Sequence, residues 1–449
     1  MPPERPTPAS AGPVARSTAA PFEPVALLSD VERIAKDPLW PGFDPRCIPL
    51  ALYDGTSTLL FAHPVLPDGF AAWDGYPGTA VFPGRHPKVV ANSTAEIGGV
   101  LTATVDLTGL MARTPTEAAA LVVHEAFHVF QRERHPEWGA NEADLFLYPV
   151  EDASLLALRF LEDGALRRAL EAQDDAEAAR WAAAVLDLRQ ERFALLPGEA
   201  VTYERASELH EGLARYVEWR VAPGSPANLL SEDGFEPDAV RPRSYATGAS
   251  LALLLDRLAP GWQEGVESGA AQALDGLLRA LLAGQRSGRR DVPVPEREAA
   301  QTRAVADIAT LRQRRAARRD AFLALPGWRL IVEVDAGEPL WPRGFDPMNV
   351  ERLGPVEVLH GRYLALGNGT GELEVLDRSC LTVAAGSHPL FTGVRQVTIA
   401  GLDSPPSMTE SDGTVRWHLT GCEVNSTEHV SIDAPAPPSS ASTPTPESA

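Results

Sequence analysis

LVVHEAFHVFQ, residues 121–131, sets His124, Glu125 and His128 into a run that is otherwise almost wholly apolar. Just upstream, Thr114-Pro115-Thr116-Glu117 offers a capping hydroxyl, a proline for the first helical position and a glutamate three residues after the cap. That combination starts a helix, and His135-Pro136 ends it. On such a helix His124 and His128, four residues apart, share one face, where two neutral imidazoles can reach a single metal ion. Glu125 lies beside them at the offset needed to touch a water on that ion. This is the H-E-x-x-H pattern, two imidazole ligands plus a carboxylate that accepts a proton from water. Val122, Val123, Ala126, Phe127, Val129 and Phe130 make the other sides apolar. Imidazoles and a carboxylate buried among them are costly unless something pairs with them. A metal would satisfy all three; the plainer alternative is a set of hydrogen-bonded core residues.

Around this helix the 449-residue chain separates by composition. Residues 1–24 and 434–449 are rich in Pro, Ser, Thr and Ala and read as a disordered leader and tail. Residues 25–110 mix a short helix with strand-like segments, the last of which, GVLTATVDL, alternates as a sheet-edge or half-buried strand would. From 111 to 325 nearly everything has helical period, and from 326 to 433 short alternating segments such as LIVEVD and VRQVTIAGL take over. The expected fold class is α+β: a mixed N-terminal sheet lobe, a mainly helical lobe and a small β-rich C-terminal domain. PLWPGFDP at 38–45 returns as PLWPRGFDP at 339–347, and a shared local turn motif is the expectation for both.

A net charge of −21 and a pI near 4.9 exclude the concentrated basic footprint of a nucleic-acid binder. The densest basic run, RQRRAARR at 312–319, falls in a helical pattern and reads as a solvated face. There is no apolar run of membrane-spanning length and no apolar core of a secretory signal, so the expected compartment is the cytoplasm. Three scattered cysteines make no disulfide framework, although a bridge between Cys380 and Cys422 stays open.

A catalytic zinc takes a third protein ligand and keeps one position for water. In YERASELHEGLARYVEWR, residues 203–220, Glu204, Glu208 and Glu211 recur on one side of a helix, a repulsive row unless a cation or solvent accounts for it. Here H-E-G-L-A-R-Y, 210–216, resembles the N-E-G-x-A-x-[YF] segment of the gluzincin metallopeptidases related to aminopeptidase N. The resemblance makes Glu211 the third zinc ligand and implies a zincin-like lobe. His210 stands where that superfamily usually has asparagine. S-Y-A-T-G-A-S-L, 244–251, is similar to its S-Y-x-K-G-A-S segment, whose tyrosine donates to the oxyanion; Tyr245 inherits that role and Thr247 replaces the lysine.

Two departures accompany the resemblance. Residues 129–210 separate His128 from Glu211, far more than the short spacer of aminopeptidases, and about 145–198 of them read as an inserted helical pair suited to a lid or a wall of the cleft. The G-x-M-E-N segment that captures a substrate amine has no counterpart in GGVLTATVDL, 98–107, taken as the edge strand, which could still pair with an extended peptide. The expectation is a zinc-dependent hydrolase cleaving peptide or protein substrates. His124, His128 and Glu211 hold Zn2+, Glu125 is the general base, Tyr245 steadies the oxyanion, and Glu208 or Glu204 orients a ligand imidazole. An inactive zincin-fold binding module, or a structural zinc closed by Glu208 or His210, are the alternatives.

Overall fold

The computed structural model describes residues 22–110, 112–269, 272–283, 290–335, 337–346, 349–405, 415–419 and 423–429. Cys422, the expected tail and all of the expected leader except 22–24 lie outside them. The architecture is α+β. The chain forms two compact units, Met1–Asn141 with Pro149–Ile308, and Glu142–Tyr148 with Ala309–Ala449.

The first unit opens with helix α1 (Pro24–Ile34) and a sheet of six strands: β1 (Leu50–Tyr53), β2 (Ser57–Phe61), β3 (Ala71–Trp73), β4 (Thr79–Pro83), β5 (Ser93–Ile97) and β6 (Val100–Asp106). Their order is β3-β4-β2-β1-β6-β5. β1 and β6 run parallel, and every other neighbouring pair is antiparallel. The expected edge strand is therefore interior: β6 lies between β1 and β5, with Thr102, Ala103, Thr104 and Val105 all buried. The cause is local. Gly98 and Gly99 both adopt positive φ, which closes a two-residue hairpin and folds β5 back as the outer strand. That edge carries an acid, exposed Glu96, which the reading of residues 98–107 missed.

Helix α2 (Pro115–Arg134) begins on the capping box foreseen from sequence, with Thr114 N donating to the Glu117 carboxylate at 2.8 Å and Glu117 N to Thr114 Oγ1 at 3.3 Å. Its Ala118, Val122, Val123 and Phe127 share one apolar core with Ala103 and Val105 of β6. Burying such side chains contributes about 1.5–3 kcal/mol each, which holds α2 against the sheet. After α3 (Glu142–Leu145), which belongs to the second unit, come α4 (Ala153–Glu171) and α5 (Asp175–Phe193), capped by Asp152 and Asp174. Then follow α6 (Gly198–Ser207), a π-helical turn at Glu208–Gly212, α7 (Leu213–Val221), α8 (Val240–Leu258), α9 (Gln263–Glu267), α10 (Leu274–Ala283) and α11 (Val294–Leu323). Among the described residues no helix is long and apolar enough to cross a membrane.

The second unit holds β7 (Gly327–Glu333), β8 (Trp341–Phe345), β9 (Val350–Arg352), β10 (Glu357–His360), β11 (Tyr363–Asn368), β12 (Gly371–Leu376), β13 (Cys380–Ala384), β14 (Val394–Leu402), β15 (Val415–Leu419) and β16 (Glu423–His429). They form two antiparallel sheets, β16-β7-β14-β13-β10-β9 and β15-β12-β11-β8, whose apolar residues meet in one cluster with Phe146. The basic run on α11 is only partly solvated: Arg315 is buried, Arg318 pairs with Glu351 and Arg319 with Glu357. The repeated PLWP segments do not share a conformation. Trp40 is buried and bridges to Phe43 across Gly42 at positive φ, whereas Trp341 is 46% exposed on a strand paired with β11. The extra Arg343 and the different neighbours override the local likeness.

Candidate metal centre

Three elements of the first unit meet at the site: α2, the π turn with α7, and α8. An α-helix through residues 198–221 would keep Glu204, Glu208 and Glu211 in one row. The π turn widens the helix at Glu208–Gly212 and takes Glu211 out of that row. Gly212 and Gly248 explain how closely α8 crosses there. A Cβ on Gly212 would lie 2.6 Å from the Gly248 Cα, and one on Gly248 would lie 2.7 Å from the Glu208 carbonyl oxygen. Backbone contact at these glycines brings Tyr245, one turn before Gly248, beside Glu211.

His124, His128 and Glu211 come together, each buried, with one ligand atom apiece lying within 4.8 Å of the others. His128 Nε2 is 3.1 Å from His124 Nε2 and 3.3 Å from Glu211 Oε2. The outer nitrogens are engaged elsewhere. His128 Nδ1 is 2.8 Å from Gln131 Oε1, and His124 Nδ1 is 3.2 Å from Glu218 Oε2. Gln131 Oε1 is an acceptor, so His128 Nδ1 carries a hydrogen and the neutral ring presents a lone pair at Nε2. The His124 Nδ1–Glu218 approach is an ion-pair distance without hydrogen-bond geometry. Glu211 Oε2 is likewise buried without a hydrogen-bond donor. Three electron-pair donors thus face one another out of water, and one shared proton cannot serve all three. A tetrahedral ion with bonds of the length zinc makes to nitrogen separates its ligand atoms by about 3.3 Å. The donor set and the separations of 3.1 and 3.3 Å about His128 Nε2 fit such an ion.

Glu125 is 6% exposed. Burial raises its pKa to about 7; His128 opposes the rise, and the Glu211 and Glu218 carboxylates add to it. Glu211 differs: burial disfavours its charge, and the Arg241 guanidinium opposes that by favouring the carboxylate. Arg241 Nη2 donates to Glu211 Oε1 at 2.7 Å. The Tyr245 ring lies nearly parallel to His124, centroids 6.3 Å apart, and its hydroxyl contacts Glu211 and Arg241. Burial, then the Glu211 charge, raises the Tyr245 phenol, which stays a donor. His210 packs its ring on His128 at 4.5 Å.

Gln131, Glu218 and Arg241 escaped the sequence reading, although helical spacing points to them: Gln131 follows His128 by three residues, Glu218 follows Glu211 by seven, and Arg241 precedes Tyr245 by four. Glu204 and Glu208, expected to orient an imidazole, do not. Arg192 Nη2 donates to Glu204 at 2.8 Å, and Glu208 accepts from both terminal nitrogens of Arg189 and from Thr247 Oγ1 at 2.8 Å. Neither Glu208 nor His210 joins the ligand group, which among the described residues has three members. The α4–α5 hairpin is likewise a packed wall behind the π turn rather than a lid. Its Arg189, Arg192, Glu162 and Asp163 are at most 3% exposed and pair with Glu204, Glu208 and Arg243.

No protein-family model, curated protein or solved structure matches the chain.

Proposed function

We propose that this chain is a zinc-dependent hydrolase, a metallopeptidase of the gluzincin kind, with its centre at His124, His128 and Glu211. The observation that carries the reading is the convergence of two imidazole nitrogens and a donor-less carboxylate oxygen in a buried site. Zinc bound there supplies Lewis acidity toward a carbonyl oxygen and toward water. Glu125 takes the proton from the attacking water and returns it to the leaving amine, the two transfers of one general base and acid. Tyr245 donates its hydroxyl proton in a hydrogen bond to the oxygen that gains charge. The edge strand β5 offers main-chain groups along which an extended peptide can lie.

The test is Glu125→Gln in the full chain, assayed for zinc content and for hydrolysis of a mixed peptide library. Turnover is expected to fall by ~10²–10⁴-fold, the usual worth of a general base, while zinc stays stoichiometric. Hydrolysis retained in that variant sinks the mechanism, and a wild-type chain that takes up no zinc sinks the reading as a whole.

A further inference from the structure

Gln131 has a place in this site that the hydrolytic chemistry does not require. Its side chain is completely buried on α2, one turn beyond His128. The amide nitrogen donates to two carbonyls of the π turn, Leu209 at 3.1 Å and His210 at 2.9 Å. Only an N–H can serve two carbonyl acceptors, so the amide oxygen faces His128 and accepts from Nδ1 at 2.8 Å. The orientation of the amide, and with it the tautomer of the imidazole, follows from hydrogen-bond arithmetic. The two carbonyls belong to the turn where the regular helical ladder is interrupted and Glu211 is carried.

We propose that Gln131 is a positioning residue that sets two ligands at once. It holds the proton of His128 on Nδ1, leaving Nε2 bare, and it ties α2 to the π turn, fixing His128 relative to Glu211. The inference rests on the metal-site reading for its consequence, zinc affinity, but not for the tautomer, which belongs to the metal-free protein. A buried amide linking a ligand's outer nitrogen to the backbone under another ligand makes each harder to move alone.

The experiment uses the full chain, with 15N-labelled histidine for NMR and zinc titrated against a chromophoric chelator. In metal-free wild type, His128 is expected to carry a hydrogen on Nδ1, a signature that a purely packing role for Gln131 would not impose. Gln131→Glu keeps an acceptor for Nδ1 and loses the donor to the two carbonyls, so the tautomer should persist while zinc affinity drops. Gln131→Met loses both functions, and its tautomer should no longer be fixed. Each variant is expected to bind zinc ~10–100-fold more weakly, the usual cost of removing an outer partner of a ligand. An Nε2–H tautomer in wild type overturns the proposal, and so do variants that bind zinc as wild type does. Wild type with the Nδ1–H tautomer but no zinc affinity upholds the Gln131–His128 tie and defeats the metal reading instead. The tautomer measurement needs no variant, so a substitution that fails to fold leaves the proposal exposed to refutation.

Discussion

At the scale of single residues, the site depends on which hydrogens are present where. Tyr245 is a donor because burial and the charge of Glu211 oppose its ionisation across any ordinary working pH. Removing the hydroxyl while keeping the ring isolates that donor. On the proposed reading Tyr245→Phe is expected to lower kcat at saturating zinc by ~10²–10³-fold, the range for loss of one oxyanion donor, with zinc affinity falling by at most the ~10–100-fold of a lost ligand partner, since the hydroxyl also contacts Glu211. Steady-state kinetics beside a zinc titration decide it: an unchanged kcat removes Tyr245 from the chemistry. The approach of His124 to His128 was legible in LVVHEAFHVFQ because helical spacing alone sets them on one face. The protonation pattern was not, since it depends on Glu218, distant in sequence, and on the Leu209 and His210 carbonyls that orient Gln131.

At the scale of elements, the decisive feature is the crossing of α8 over the π turn. Gly212 and Gly248 face each other there, and an added Cβ would meet backbone, which cannot swing aside as a side chain can. Gly248→Ala is therefore expected to destabilise the fold by about 1–3 kcal/mol, as overpacking does, and to weaken zinc binding by displacing the turn that carries Glu211. Gly164, inside α4 with open space where its Cβ would be, supplies the control. Gly164→Ala should stabilise by about 0.5–1 kcal/mol through helix propensity. Urea unfolding of the two variants reads the contrast, and equal effects would refute close backbone contact at the crossing. The motifs HEGLARY and SYATGAS contain these glycines, but the reason for them became visible only with the crossing itself.

Across the molecule, a chain with 61 acidic and 40 basic side chains keeps part of its charge inside. Arg189, Arg192 and Arg243 are buried with Glu162, Asp163, Glu204 and Glu208, joining the α4–α5 hairpin to α6, the π turn and α8. Burial pushes Glu204 upward, yet Arg192 and Arg243 outweigh it and hold the carboxyl at about 2, against 4.5 for an unperturbed glutamate. With the folded pKa depressed, the unfolded chain takes up the proton first as pH falls. The stabilisation is complete above about pH 4.5 and is lost toward pH 2, amounting to roughly 3 kcal/mol. Glu204→Gln cannot lose it with acid, so the stability gap between wild type and variant should shrink across that window when followed by urea unfolding. A gap that stays constant down to pH 2 would mean that the network does not hold Glu204 ionised.

Local patterning was enough to place α2 and its cap, the helical hairpin, the alternating strands of the second unit and the α+β class. Each depends on residues within a turn or two of one another, where period, caps and glycine punctuation act directly. Contacts between distant segments decided the rest. Gly98 and Gly99 form a hairpin whichever strand is outermost, but pairing with β1 is what makes β6 interior and leaves β5 at the edge. Glu204, Glu208 and Glu211 look equivalent along a helix; buried arginines claim the first two, and the π turn delivers the third to the histidines. Charge, burial and backbone register are properties of the packed chain, and those three quantities separate two arginine-paired acids from the one that meets the histidines.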